Sequence, residues 1–419
     1  MNRWFKLDNA AKVFPSVSNK NRSNVFRLSI ELKEEIDEKL LQEALDITID
    51  RFKSLKVKLK RGLFWYYLDP NKEKVKVLKE SPYICKAINR KENNGYLFRV
   101  YYFRNRITLE IFHSLTDGTG GMEFLKALCY NYLLLKGYKL DSENLILTDI
   151  ESTYEEVQDS YLKNYSKKVK STPRDVKALK IKGTKYADSW ISLIIGNVDL
   201  AKTKEVAKSY DATITEFLCA CLIKAAMQTP YLFENKQKPF QMLVPVNLRK
   251  VFPSKTLRNF SLVISCGTYI DKDLEFQEII KIVKDDFAKG LKKEYLHGQI
   301  VANVVLEKNI FMRLTPLFLK EIALKIGFKA WGDSINSLSI SNLGKVALPK
   351  SMEPFIEKII FANGASKSIP INCAVVSFQN NLTISFSSSI IERDFQREFF
   401  RILANFGINV VIESNELEV

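Results

Sequence analysis

The sequence predicts an α/β (α+β) chain of two domains, and three observations predict it. At 419 residues the chain is longer than one ordinary domain and long enough for two, each able to bury its own core. An apolar share of 46% beside 27% charged residues is that of a globular protein, far from the low hydrophobicity of disordered chains. Strand-like and helix-like periodicities alternate on both sides of a weakly patterned basic stretch. That stretch divides the chain into 1–160, a linker at 161–188, and 189–419.

Phe26, Leu28, Ile30 and Leu32 alternate with polar residues, the period of a half-buried strand. From Glu34 to about Phe52, Ile36, Leu40, Ala44, Leu45, Ile49 and Phe52 recur every three to four residues, which predicts a helix with one apolar face. Aromatic and β-branched runs at Leu63 to Leu68, Phe98 to Phe103 and Ile107 to Phe112 predict strands. Phe64, Trp65, Tyr66 and Tyr67 are assigned to a core strand rather than to a substrate platform.

Between about Glu151 and Asp188 lysines and one arginine gather around Pro173 and Gly183, among them Lys168, Lys170 and Arg174. Charge runs of this kind are usually solvated faces, so a crossover between domains is favoured over a phosphate-binding segment. Strand character resumes at Trp190 to Val198. Thr213-Ile214-Thr215-Glu216 fits a capping box, which predicts a helix over Phe217 to Met227. Near the end, Cys373 to Phe378 and Leu382 to Ser387 flank Gln379-Asn380-Asn381 as a hairpin, followed by a helix from Arg393 to Phe406 and a last strand, Ile408 to Ile412.

Composition narrows the function classes. The first residues lack the apolar core of a secretory signal, so a cytoplasmic location is expected. The longest uncharged run, Ser368 to Ile391, holds Pro370, Asn372, Gln379 and several serines, which a bilayer interior rejects. Six cysteines without C-x-x-C spacing and only two histidines make a metal site an unsuitable expectation. The net charge of +16 calls for an anionic partner. No nucleic-acid-binding signature accompanies it.

The chemistry concentrates at His113-Ser114-Leu115-Thr116-Asp117-Gly118. Alternation along Arg106 to Phe112 places His113 on the face of Ile107, Leu109 and Ile111, so that the imidazole enters an internal passage if that face lines one. Gly118, Gly120 and Gly121 permit a tight exit into a helix whose buried stripe is Phe124, Leu125, Leu128, Tyr132 and Leu133. A neutral imidazole at such a corner suits removal of a proton from a hydroxyl or amine attacking an acyl carbonyl. Asp117 is placed to accept from a backbone amide or an arginine and to hold the corner in shape. His297, followed by Gly298 as a helix stop, is read as a structural residue near a helix C-terminus.

This His-x-x-x-Asp-Gly segment resembles the signature of the coenzyme A-dependent acyltransferase superfamily, which includes chloramphenicol acetyltransferase, peptide-synthetase condensation domains and plant BAHD enzymes. More closely, the chain is similar to bacterial alcohol acetyltransferases. The resemblance rests on Trp4 through Lys12, Phe14-Pro15, Arg61 through Tyr67, Glu110 through Gly118, Pro245 through Arg249 and Ser341 through Gly344. It implies two chloramphenicol-acetyltransferase-like domains, with mixed sheets flanked by helices and a tunnel between them. It implies transfer from acyl-coenzyme A, as donor substrate and not resident cofactor, to a small-molecule alcohol or amine. It further implies His113 as base, Arg249 as salt-bridge partner of Asp117, and Ser341 and Asn342 as tunnel-lining oxyanion donors; a turn is the ordinary alternative for the last two. Phe112 stands where condensation domains carry a first histidine, and an Asp-Phe-Gly-Trp-Gly segment is missing. An O-acyltransferase is therefore the first expectation. A carrier-dependent N-acyltransferase or condensation-type enzyme, or a non-catalytic binding member, is the alternative.

Overall fold

A computed structural model describes residues 4–148, 151–167, 169, 177–234, 237–271, 273–327 and 334–415. Two mixed sheets carry the architecture. The first has five strands in the spatial order Ile356–Asn363, Val25–Leu32, Arg106–Phe112, Phe98–Phe103 and Val77–Lys79, with only the last pair parallel. The second has seven: Ser261–Thr268, Phe240–Asn247, Leu338–Lys345, Ile371–Phe378, Asn381–Ser388, Ser192–Asp199 and Val410–Ser414. Leu338–Lys345 runs parallel to both neighbours, and the remaining pairs are antiparallel.

Helices cover the sheets. Glu38–Arg51, capped by Asp37, and Gly118–Leu135 bury Leu41, Leu45, Phe124, Leu128 and Tyr132 with Leu28, Leu109 and Ile111 of the first sheet. On the second sheet lie Ile214–Gln228, closed by the Thr213–Glu216 capping box, together with Phe276–Gly290 and Asp394–Asn405. The terminal hairpin pairs Ile371–Phe378 with Asn381–Ser388 in register, and Gln379 turns at φ 50°. All six cysteines are buried and unpaired.

The structure corrects several expectations. The strand Val25–Leu32 is buried along its whole length rather than half-buried. Its polar residues face protein: Arg27 pairs with Glu80 at 2.5 Å and with Glu110 at 3.2 Å, and Glu110 also holds Arg99 at 2.7 Å. The aromatic run at 63–68 starts its strand only at Tyr66, because Leu63 and Phe64 lie exposed outside the sheet. A strand at Val57–Arg61 pairs with it, where charged residues conceal the alternation.

Strand Ile356–Asn363 comes from the second half of the sequence yet adds to the first sheet beside Val25–Leu32. Val346, Leu348 and Met352 on the approach enter the same core. The basic stretch is anchored rather than only solvated. Arg51 grips Glu156 through two bonds of 2.8 and 2.9 Å, Tyr161 is buried, and Lys180–Ile181 pairs with Phe233–Glu234. Lys168, Lys170 and Arg174 lie outside the described residues.

Candidate active site

The strand carrying the histidine ends at Phe112, and His113 opens the turn into helix Gly118–Leu135. Ile107, Leu109 and Ile111 do not line a passage. They pack into the core, and His113 reaches open space only because it stands past the strand's end. Its backbone amide donates to Asn24 O at 2.9 Å. Its ring is clamped between Phe14, stacked at 4.8 Å, and Phe26, edge-on at 5.2 Å.

Asn259 sets the imidazole's protonation pattern. Its Nδ2 faces two acceptors, the His113 carbonyl at 3.0 Å and Asp8 Oδ2 at 3.2 Å. A group between two acceptors must be the donating end of the amide, so Oδ1 is the end lying 3.0 Å from His113 Nδ1. An acceptor there requires the proton on Nδ1, and leaves the Nε2 lone pair free. Among the described residues Nε2 has no protein hydrogen-bond partner. Burial holds the imidazole pKa below its usual value, partly opposed by Asp117, so the ring is neutral at pH 7. Behind Asn259, Asp8 is fully buried, accepts from Ala11 N at 2.8 Å and lies 3.6 Å from Arg258 Nε. Burial raises its pKa, against the lowering pull of Arg258.

Asp117 is in the cavity wall, but its carboxylate is committed to protein donors. Its carboxylate takes Arg249 as a fork, Nη1 to Oδ2 at 2.8 Å and Nη2 to Oδ1 at 3.2 Å, and accepts from Phe260 N at 2.9 Å and Gly120 N at 3.2 Å. Arg249, on the short turn Leu248–Lys250, also donates to Thr256 O, Arg258 O and Asn247 Oδ1. The pair therefore ties the helix start of the first half to the loop 249–260 of the second, which also carries Asn259. Gly118 makes the tie close: a Cβ there would stand 2.6 Å from Leu343 Cδ2. Gly120 likewise lets Leu257 O come close: a Cβ on Gly120 would stand 2.1 Å from it.

A cavity of about 80 Å³ opens between the halves, and His113, Gly118, Asn247, Ser341, Asn342 and Asn363 are in its wall. It has room for reacting atoms, well short of the ~300 Å³ that encloses a whole small molecule. Ser341 Oγ accepts from Asn363 Nδ2 at 3.0 Å, which leaves its hydroxyl hydrogen free to turn. Asn342 is mostly committed to shape: Oδ1 accepts from Gly344 N at 2.7 Å and Nδ2 donates to Thr215 at 2.9 Å. It braces a bulge in Leu338–Lys345 whose Gly344 sits at φ +75°, a backbone that favours glycine.

A larger cavity, of about 220 Å³, has Ala365 and Ser366 in its wall, just past Asn363 of the small one in sequence. Lys20, Lys86, Lys185 and Lys367 surround it, with Asp188 the carboxylate among its wall residues.

His297 is not in the small cavity's wall; its ring stands 5.6 Å from that of Phe252. Gly298 does not stop a helix but continues within Lys293–Lys308, and His297 Nε2 meets Asn164 O at 2.9 Å, tying that helix to the crossover. Among the described residues, no group of three or more His, Cys, Asp or Glu side chains is arranged to hold a metal. Sequence reasoning missed Asn259, Asp8, Phe14 and Phe26 as site residues. Asp8 and Phe14 fell within the quoted resemblance, whereas Asn259 offers no spacing signal.

A family model described as alcohol acetyltransferase matches residues 181–406, more than half of the chain. No curated protein sequence matches. Solved structures of similar fold include the epimerization domain from the third module of tyrocidine synthetase B, at 11% identity and TM-score 0.61, covering 97% of this chain and 96% of that one. A trichothecene 15-O-acetyltransferase from Fusarium sporotrichioides matches at 12% identity and TM-score 0.60, over 96% of this chain and 94% of that one. The wax ester synthase/diacylglycerol acyltransferase of Marinobacter aquaeolei matches at 12% identity and TM-score 0.56, over 96% and 99%. Likeness at such identities concerns the fold.

Proposed function

The chain belongs to the alcohol acetyltransferase family and is an acyltransferase; we propose that it moves an acyl group, acetyl foremost, from acyl-coenzyme A to a small-molecule hydroxyl, with His113 as general base. One observation carries this reading. The Nδ1 proton is fixed by Asn259 while Nε2 is left open, beside a cavity walled by both halves.

In the proposed reaction Nε2 takes the proton of the acceptor hydroxyl as its oxygen bonds to the thioester carbonyl carbon. The carbonyl electrons move onto oxygen, and the Ser341 hydroxyl donates to that oxyanion, where one donor is typically worth about 3 to 4 kcal/mol. Collapse expels the thiolate, which takes the proton back from the imidazolium. Asp117, Arg249 and Gly118 touch no reacting atom in this scheme; they position the corner. Asn342 supports it by shaping the bulge that presents Ser341. The lysine-lined cavity is the proposed seat of the donor's phosphates, supported by the net charge of +16 and by Ala365 and Ser366 of its wall following closely in sequence on Asn363 of the small cavity.

The test is a purified His113→Ala protein assayed against acyl-coenzyme A and a panel of alcohols and amines, with loaded carrier protein as the rival donor. Loss of about 10²- to 10⁴-fold in kcat with retained fold is the expected result. Full activity in this variant sinks the assignment, and turnover only with a loaded carrier replaces the donor.

A further inference from the structure

Helix Lys293–Lys308 is followed by two short helices, Ile310–Leu314 and Leu317–Gly327, whose polarity is inverted. Ile310, Phe311, Leu314, Phe318, Ile322 and Ile326 point to water, Phe311 with 80% of its surface exposed and Leu314 and Ile326 with 64% each. Phe318, Ile322 and Ile326 follow at i, i+4 and i+8, one continuous stripe. The inward side carries polar groups beside the buried Leu317. Lys320 is buried over the Trp65 ring at 3.8 Å and donates to Phe64 O at 2.9 Å, while Glu321 binds Arg61 at 3.0 Å and Tyr66. A soluble surface rarely carries an apolar patch of this extent without a partner.

Charge says which partner. Among the described residues 307–327 the two acids, Glu307 and Glu321, are drawn into ion pairs with Lys12 and Arg61. Arg313 and Lys325 stand exposed among the apolar side chains. An apolar stripe carrying the exposed cations Arg313 and Lys325, with Glu307 and Glu321 held in ion pairs, matches a bilayer of anionic phospholipid, in which the rings and aliphatic chains enter the acyl boundary and the cations meet phosphates. No described helix is long and apolar enough to cross a membrane. We infer that this helix pair docks the protein onto an anionic phospholipid surface, lying in the interface.

The placement links docking to the site. Helix Leu317–Gly327 packs on the short helix Phe14–Val17, and Phe14 is the ring stacked on His113. A lipid-dissolved substrate would thus enter within one helix of the imidazole. The docking itself does not depend on the acyltransfer reading.

Flotation of the full chain with vesicles of phosphatidylcholine, alone or mixed with phosphatidylglycerol, tests the inference. Binding to the mixed vesicles only is expected. Phe311→Asp with Ile322→Asp abolishes it, and Arg313→Glu with Lys325→Glu weakens it by at least about fivefold per cation lost. All four positions are exposed, and thermal melts of the variants verify folding. His113→Ala floats like the wild type, which separates this result from the fate of the catalytic reading. Equal flotation of wild type and the Phe311 and Ile322 variant overturns the inference. So does failure to float, whether light scattering then finds a monomer or a dimer that the Phe311 and Ile322 variant disperses.

Discussion

Asn259 Oδ1 lies 3.0 Å from His113 Nδ1, and the same amide is held by Asp8 Oδ2 at 3.2 Å on its far side. A buried carboxylate, an amide and an imidazole thus form a line that ends in an unprotonated Nε2. Asn259→Leu removes the acceptor that selects this tautomer. The expected outcome is a kcat lower by roughly tenfold to hundredfold with little change in KM, checked by steady-state kinetics.

The pH profile follows from the burial of His113. Only the neutral ring accepts a proton, and burial lowers its pKa from 6.5. Protonation therefore sets in only at a lower pH than for a free imidazole. The rate, kcat/KM, is expected to be flat through neutrality and to fall on an acid limb centred below 6.5. A limb centred above 6.5 contradicts this environment.

Breaking one side of the Asp117–Arg249 fork strands a buried charge. Both side chains are nearly inaccessible, at 7% and 11%. Arg249→Met is expected to cost about 3 to 5 kcal/mol of stability, read as a lower denaturant midpoint. Asp117→Asn with Arg249→Met recovers part of that loss, because neither charge remains.

Gly118 admits no side chain without movement of Leu343, whose Cδ2 would lie 2.6 Å from a new Cβ. Gly118→Ala is expected to destabilise by about 1 to 3 kcal/mol. Gly118→Ala with Leu343→Ala relieves the clash, and thermal melting of the single and double variants measures the coupling.

Donor binding should respond to salt. With Lys20, Lys86, Lys185 and Lys367 around one cavity, raising ionic strength is expected to raise the donor KM, and Lys185→Gln with Lys367→Gln to raise it several-fold at low salt with kcat unchanged. The acceptor KM serves as the internal control.

Local periodicity made much of the fold legible. The capping box at Thr213, the terminal hairpin and the helix after Gly118 are short-range patterns, and each lies where a chain of neighbours specifies it. What escaped were long-range relations. Nothing near residues 356–363 marks them as partners of Val25–Leu32, since their β pattern suits either sheet. Arg27 reads as part of a half-buried strand's polar side because a sequence does not reveal what covers a sheet's second face. In the site, His113 and Asp117 were visible as a motif, whereas Asn259 is a site residue only through a contact across 146 residues.

Strand Ile356–Asn363 has a consequence for biosynthesis. As the chain leaves the ribosome, the free hydrogen-bonding edge of Val25–Leu32 stays uncovered until its neighbour emerges about 250 residues after Phe112, roughly 10 to 50 s at ordinary elongation rates. An unpaired edge is a template for intermolecular association. The nascent protein is therefore most vulnerable to chaperone demand and aggregation in that interval, and a fragment ended at the basic stretch would remain in it permanently.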